Sequence, residues 1–247
     1  MTGLSTLANS VTTSGTQTYQ GAVTLAAATS LTGSTINTQS TLAGGGNALT
    51  ITGAADIDGA FTGLTALSIS GDSNLGANVT TTGVQTYGGV VTLSGGNRTL
   101  TGSTIATQST LAGGGNALTI TGGADIDGDY TGLSTLSISG AADLGANVTT
   151  TGTQTYGGAV TLSGGSRTLT GSTWVKSSDP TDLVAGAVAQ HRAQSVLRGR
   201  HDAHLRLRRD GERVDDGLFA GVVHGPAPLQ DESPHDDRPQ TEVDGDL

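Results

Sequence analysis

Alternating carboxylates offer the clearest chemistry in this sequence. Asp125, Asp127 and Asp129 lie at every second position, and Asp56 and Asp58 repeat part of the pattern. Calcium sites use oxygen ligands at such alternate positions, but the EF-hand spacing and its distal bidentate Glu are missing. The glycine-rich nonapeptides of calcium-binding β-rolls are missing too. We therefore keep Asp125, Asp127 and Asp129 as calcium candidates, with a solvated turn as the simpler interpretation.

The other residue patterns that support catalysis are absent from residues 1–173. This span contains no His, Lys, Glu or Cys, and its aspartates fall in Gly-rich turns, so the sequence suggests no convergent group of catalytic side chains. Glycines 44–46 and 113–115 lack the Lys-Ser/Thr pair and the following helix of a phosphate-binding loop. We predict no catalytic residue, no cofactor and no enzymatic activity.

The composition indicates which elements must position these side chains. Residues 1–173 contain no Pro, and the whole chain has 40 Gly, 3% aromatic residues and no Cys. Thr, Val and Ile suit extended strands, while so few aromatic side chains leave only a thin core. No apolar run approaches the ~20 residues that a membrane helix needs. The sequence therefore predicts an all-β protein with a narrow aliphatic interior, no disulfides and no membrane insertion.

An internal repeat with a period of about 69 residues organises the span 1–173. The triplet Gln-Thr-Tyr ends at Tyr19, Tyr87 and Tyr156, so its three copies are almost evenly spaced. The run that starts at Ala43 returns at Ala112 with the same period. After a start within a repeat, the units are residues 8–76, 77–145 and the partial unit 146–173.

Shorter strand patterns recur within each repeat. Leu67 and Ile69 alternate with two serines before a glycine, and similar patterns start at Val91, Leu118 and Leu136. Period-two alternation sends apolar and hydroxyl side chains to opposite faces. From Leu67 to Leu136 the starts are on average about 23 residues apart, a length typical of solenoid coils. Stacked coils of that length predict a parallel β-helix, or β-solenoid, with about three coils per repeat.

Two alternatives to this interpretation concern the fold and the surface. A string of small β-sandwiches, one per repeat, would lack the Trp or Cys pair that anchors such a core. Thr-x-Thr triplets, such as the one from Thr16 to Thr18, resemble the flat hydroxyl arrays of ice-binding solenoids. Those arrays need the triplet on every coil, whereas this sequence repeats it about once per three coils. We therefore expect ordinary exposed strand hydroxyls.

Both ends of the repeat region fall inside a repeat. Residues 2–7 match residues 131–136, so we expect a fragment or a misassigned start. The similarity stops at Trp174, and residues 174–247 hold all five His, all five Pro and nine of the eleven Lys and Arg residues. We predict that residues 174–247 form an unrelated tail. Two explanations stay open: a disordered or weakly helical tail, or out-of-frame translation.

The tail contains two further patterns with chemical meaning. His201, Asp202 and His204 have the chemistry of metal ligands, and the tail's arginines resemble a nucleic-acid-binding patch. Acidic residues interleave with these arginines, and no aromatic platform accompanies them. We predict neither a metal site nor a nucleic-acid partner.

The block Thr-x-Thr-Tyr-Gly-Gly-x-Val-Thr-Leu, followed by Leu-Thr-Gly-Ser-Thr, resembles the repeats of filamentous-haemagglutinin-like large bacterial adhesins and autotransporter passengers. The resemblance covers residues 2–173. It implies a right-handed parallel β-helix, export across the outer membrane and attachment to surfaces or cells. It assigns no functional residue to this chain.

The expected function is that of a stalk or spacer in a secreted or surface-exposed bacterial adhesin. The alternative is a binding surface in its own right, for glycans or ice, on a face of the β-helix. Expected partners are host or surface glycans or proteins, met through the parent protein, and the solenoid ends are expected to self-associate. The parent is expected to be secreted or at the cell surface, although residues 1–8 lack the features of a signal peptide.

Overall fold

The computed structural model describes residues 1–176 and 203–207. Every regular element in these residues is a β-strand, because apolar and hydroxyl-bearing residues alternate along the chain. The strands are β1 Ser5–Leu7, β2 Val11–Thr12, β3 Gln17–Tyr19, β4 Val23–Leu25, β5 Thr29–Thr38, β6 Leu42–Ile57, β7 Phe61–Ile69, β8 Ser73–Leu75, β9 Val79–Thr81, β10 Gln85–Tyr87, β11 Val91–Leu93, β12 Arg98–Thr107, β13 Leu111–Ala112, β14 Leu118–Ile126, β15 Tyr130–Leu133, β16 Leu136–Ile138, β17 Ala142–Leu144, β18 Val148–Thr150, β19 Thr153–Tyr156, β20 Val160–Leu162, β21 Arg167–Gly171, β22 Thr173–Lys176 and β23 Ala203–Leu207.

Strands β1 to β22 stack in parallel as a solenoid of about 9 turns. Each coil supplies three short strand segments, so the segments form three columns, which we call faces A, B and C. Face A starts at β1, face B at β2 and face C at β3. Strands β5, β6, β7, β12 and β14 turn a corner and contribute to more than one face. The continuous ladder confirms the predicted all-β parallel β-helix.

The coils are shorter than the sequence predicted. Paired residues on successive coils are 17 to 21 positions apart, from Asn47 with Leu64 to Val79 with Leu100. The predicted mean of 23 was too long because the similar patterns used as coil markers lie on different faces. Leu67 is on face B, Val91 on face C and Leu118 on face A. One sequence repeat therefore contains eleven strand segments, or three and two-thirds coils.

The core is a thin column of Leu, Ile and Val side chains that point inward from all three faces. Leu42, Ile105 and Leu144 are each fully buried. Large rings also enter this column, because Phe61 and Tyr130 have no exposed surface. The interior is therefore mainly aliphatic, with single aromatic rings at positions such as Phe61 and Tyr130.

Glycine is required where the chain turns a corner against the coil below. Gly53 and Gly122 have φ angles of +125° and +130°. A Cβ built on Gly122 would lie 1.8 Å from the carbonyl oxygen of Gly102. Only glycine accepts both this conformation and this approach.

The ladder continues past the predicted boundary at residue 173. Strand β22 pairs with β19 on face A, and the half-buried Trp174 packs against the end of the core. Strand β23 pairs with β21 in the antiparallel sense. The remaining residues of the predicted tail, including His201 and Asp202, lie outside the described residues.

Candidate functional surface

The Gln-Thr-Tyr triplet of each repeat forms a buried polar pair. The Tyr87 hydroxyl donates a hydrogen bond of 2.8 Å to Oε1 of Gln85, and both side chains are fully buried. Nε2 of Gln85 donates to the carbonyl oxygens of Thr101 at 2.7 Å and Val79 at 3.2 Å. The same contacts recur in the other repeats around Gln17 with Tyr19 and Gln154 with Tyr156.

These tyrosines connect neighbouring coils through their Gln partners and do not ionise near neutral pH. Burial raises the pKa of Tyr87 and of Tyr156 well above the ordinary value for tyrosine. Each ring therefore stays neutral and acts as a hydrogen-bond donor. These pairs were not predicted from the sequence, although each repeat tyrosine has a Gln two positions before it, on the same strand face.

A ladder of amide and carboxylate side chains lies on face C of the first repeat. Asn37, Asp56 and Asn74 are register partners on three successive coils. Nδ2 of Asn37 donates to one carboxylate oxygen of Asp56 at 3.0 Å, and Nδ2 of Asn74 donates to the other at 2.9 Å. Both oxygens of Asp56 are therefore satisfied by amides.

The second repeat places two carboxylates in the corresponding positions on face B. Asp125 corresponds to Asp56, Asp143 to Asn74 and Ala106 to Asn37, and these three are again register partners. Burial, then the neighbouring Asp127 and Asp143, raise the pKa of Asp125 above its usual range. Oδ1 of Asp143 is buried and accepts no hydrogen bond from the described residues.

The three calcium candidates do not converge. Asp125 lies half-buried on β14, while Asp127 and Asp129 are exposed in the turn that follows. Oδ1 of Asp129 accepts a hydrogen bond of 2.9 Å from the backbone N–H of Asn147. Across residues 1–176 and 203–207, no group of three or more acidic or His side chains is arranged to hold a metal ion.

Outward-facing threonines align along face A. Successive positions are register partners or directly follow them, and adjacent strands are about 4.8 Å apart. Six of the seven positions are Thr, and all but the half-buried Thr101 are exposed. We call this set ladder A, and it consists of Thr6, Thr24, Ala43, Thr62, Thr80, Thr101 and Thr121.

A corresponding threonine ladder lies on face C, one repeat further along the chain. We call it ladder C, and it consists of Thr92, Ala112, Thr131, Thr149 and Thr170. The Thr-x-Thr triplets themselves stack only locally, as where Thr99 and Thr101 pair with Thr119 and Thr121. Single threonines from different parts of the repeat thus align on consecutive coils. The spacing of the Thr-x-Thr triplets, about one per three coils, did not predict this alignment.

The two arginines of residues 1–173 serve the backbone. Nε of Arg98 donates to the carbonyl oxygen of Leu75 at 2.9 Å, and its Nη1 and Nη2 donate to the carbonyl oxygens of Asn97 and Ser94 respectively. Arg167, at the same place in the next repeat, makes the equivalent contacts. These guanidinium groups therefore brace a turn between coils.

One shallow depression interrupts the flat surface on face C. Its lining is mainly hydroxyl and amide groups, with one carboxylate, from Asp129, Tyr130, Thr131, Asn147, Thr149 and Thr168. Tyr130 is buried beneath it, and its hydroxyl is 3.0 Å from Oγ1 of Thr107. The depression thus offers one carboxylate and several hydroxyls, and no His, Lys or Cys is among the residues that line it.

Among the described residues, no helix has the length and apolarity to cross a membrane. No family model, no curated protein and no solved structure matches the sequence or the fold.

Proposed function

We propose that this chain is a structural stalk or spacer segment of a secreted or surface-exposed bacterial adhesin and performs no catalysis. The observation that carries the proposal is the rotation of the repeat around the solenoid. Equivalent threonine ladders lie on face A and then on face C. Equivalent side chains of successive repeats therefore do not accumulate on one face to form a single binding site. The stacking of coils along the axis, by contrast, continues without a break.

The fate of the polar groups supports the same role. The Gln85–Tyr87 pair is buried and the two arginines bind backbone carbonyls. These groups stabilise the stack and are not free to meet a substrate. A spacer needs this kind of internal use of polar side chains, because each coil is supported only by its neighbours.

The experiment compares the full chain with a variant that lacks residues 84–152. The junction restores the native order, since Gly83 then precedes Thr153 as Gly152 does in the full chain. Eleven strand segments are lost, so we expect the solenoid to shorten by about 18 Å. Small-angle scattering measures this change, and circular dichroism reports the retained strand content.

A duplication of residues 84–152 is the matched control and should lengthen the solenoid by the same amount. Glycan-array binding by the purified full chain, or a length that does not scale with repeat number, would contradict the stalk. Surface exposure is tested by protease treatment of intact source cells, which should release repeat fragments of the parent protein.

Ladder A favours a second candidate function, a binding surface for ice or glycans. It is uncharged and places a hydroxyl on six of seven consecutive coils. The double substitution Thr62→Lys and Thr80→Lys should abolish any effect on ice growth or glycan binding. Thr50→Lys on face B is the control and should leave such an effect unchanged, and a full chain without either effect rejects this candidate.

A further inference from the structure

Equivalent residues of successive repeats lie on different faces of the solenoid. Tyr19 is on face C, Tyr87 on face B and Tyr156 on face A. Each is buried among the inward side chains of its own face. The displacement is the same at both steps, namely two faces forward.

The displacement arises because the number of strand segments in a repeat is not a multiple of the number in a coil. One coil uses three strand segments and one repeat contains eleven, so each repeat ends two segments into its fourth coil. The corners of the coil vary in length, and paired residues lie 17 to 21 positions apart. The order of faces nevertheless stays regular in both repeats, because every strand segment continues an existing ladder.

We propose that the number of repeats determines the face on which the solenoid presents whatever follows it. One repeat more or fewer moves that segment by two faces, and three repeats restore the original face. This inference rests on the proposed stalk function. It adds that length and direction change together: each repeat extends the stalk by about 18 Å and also turns its end.

Serial cross-linking along face B tests this inference in the full chain, which contains no native Cys. Register partners on adjacent strands lie within the Cα separation that a disulfide bridges. Each double-cysteine variant is oxidised with molecular oxygen and its free thiols are titrated. The pairs are 68 with 86, 86 with 106, 106 with 125, 125 with 143, and 143 with 161.

We expect near-complete loss of free thiols for every pair in this series. The series connects Ser68 to Thr161 on one face, while Asn74, the equivalent of Asp143, pairs with Thr92 on face C. A repeat made of whole coils would put Asn74 and Asp143 on one face and would break the series. Retention of both thiols in any one pair therefore overturns the inference.

The chain without residues 84–152 then shows the change of face directly. Thr161 takes the position of Thr92, so Asn74→Cys with Thr161→Cys should cross-link there and not in the full chain. The pair Thr50→Cys with Ser68→Cys should cross-link in both chains and reports folding. If the shortened chain does not fold, the full-chain series still decides. Failure of the stalk function would appear as ligand binding and would leave every cross-link intact.

Discussion

The buried Gln–Tyr pairs place polar atoms where aliphatic side chains would fill the core more simply. Each pair satisfies its own donors and acceptors and also caps two backbone carbonyls on neighbouring coils. A fully satisfied buried network costs little, but a partly broken one leaves an unpaired group in a low-dielectric interior. The pairs are therefore expected to be sensitive to substitution of either partner.

Tyr87→Phe removes the hydroxyl that donates to Gln85 and leaves Oε1 of Gln85 buried without a donor. We expect a loss of about 1–3 kcal/mol of unfolding free energy in urea. Tyr130→Phe is the control, because Phe61 occupies that position naturally in the first repeat, and it should cost less. Equal effects of the two substitutions would contradict a specific role for the Gln–Tyr pair.

The stacked carboxylates of the second repeat yield a prediction about pH. The raised pKa of Asp125 means that the folded state holds its proton more strongly than the unfolded state does. Its contribution is therefore most stabilising below the unfolded pKa, about 4, and is lost as pH rises through the raised folded value. Asp143→Asn supplies an amide, as Asn74 does to Asp56, and should weaken this pH dependence in urea unfolding.

The reciprocal exchange tests the same pair in the first repeat. Asn74→Asp puts a like charge beside Asp56 and removes its amide donor. We expect it to destabilise the chain at pH 7 by about 0.2–1 kcal/mol. Asp143→Asn should have the opposite sign, and two changes of the same sign would show that the carboxylate pairing does not matter.

At the scale of the element, the corners matter more than the strands. Short strands such as β8, Ser73–Leu75, and β17, Ala142–Leu144, carry two inward side chains each. What joins them is a corner that must pass close to the corner of the coil below. Gly122 meets that requirement by combining a positive φ with close contact to Gly102.

Gly122→Ala should therefore destabilise the solenoid by about 3 kcal/mol or more, since both strain and a backbone clash oppose it. Gly15→Ala is the matched control, because nothing lies within 4 Å of a Cβ at Gly15 and its φ is not positive. Thermal unfolding followed by circular dichroism compares the two. A small effect at Gly122 would mean that the corner can move.

The sequence predicted the parallel β-helix because period two is a local property of residues such as Leu67 and Ile69. It did not predict the coil length, because apolar-hydroxyl-apolar patterns occur on all three faces and carry no mark of which face they join. The alignment of the threonines in ladder A was not predicted from the sequence for the same reason. Thr24 and Thr62 lie in unlike contexts, and only the register brings them into line.

At the scale of the whole molecule, stability depends on neighbouring coils. Each interior coil is hydrogen-bonded on both sides, whereas β1 and β2 are paired on one side only and the outer side of β3 is bonded to Met1. We expect amide hydrogen exchange to be slowest between β7 and β14 and fastest in β1 to β3. Uniform protection along the chain would indicate a single cooperative unit.

The direction of the hydrogen bonds has a mechanical consequence. They run along the solenoid axis from coil to coil, as from Ala26 to Leu7 and from Gly76 to Ile57. A force that pulls on the ends of the chain therefore acts on the hydrogen bonds of a terminal coil first, and the coils peel away one after another. Each coil, with register partners 17 to 21 positions apart, would release about 65 Å of extended chain. Such a tether would yield stepwise under load and absorb work before its attachment broke.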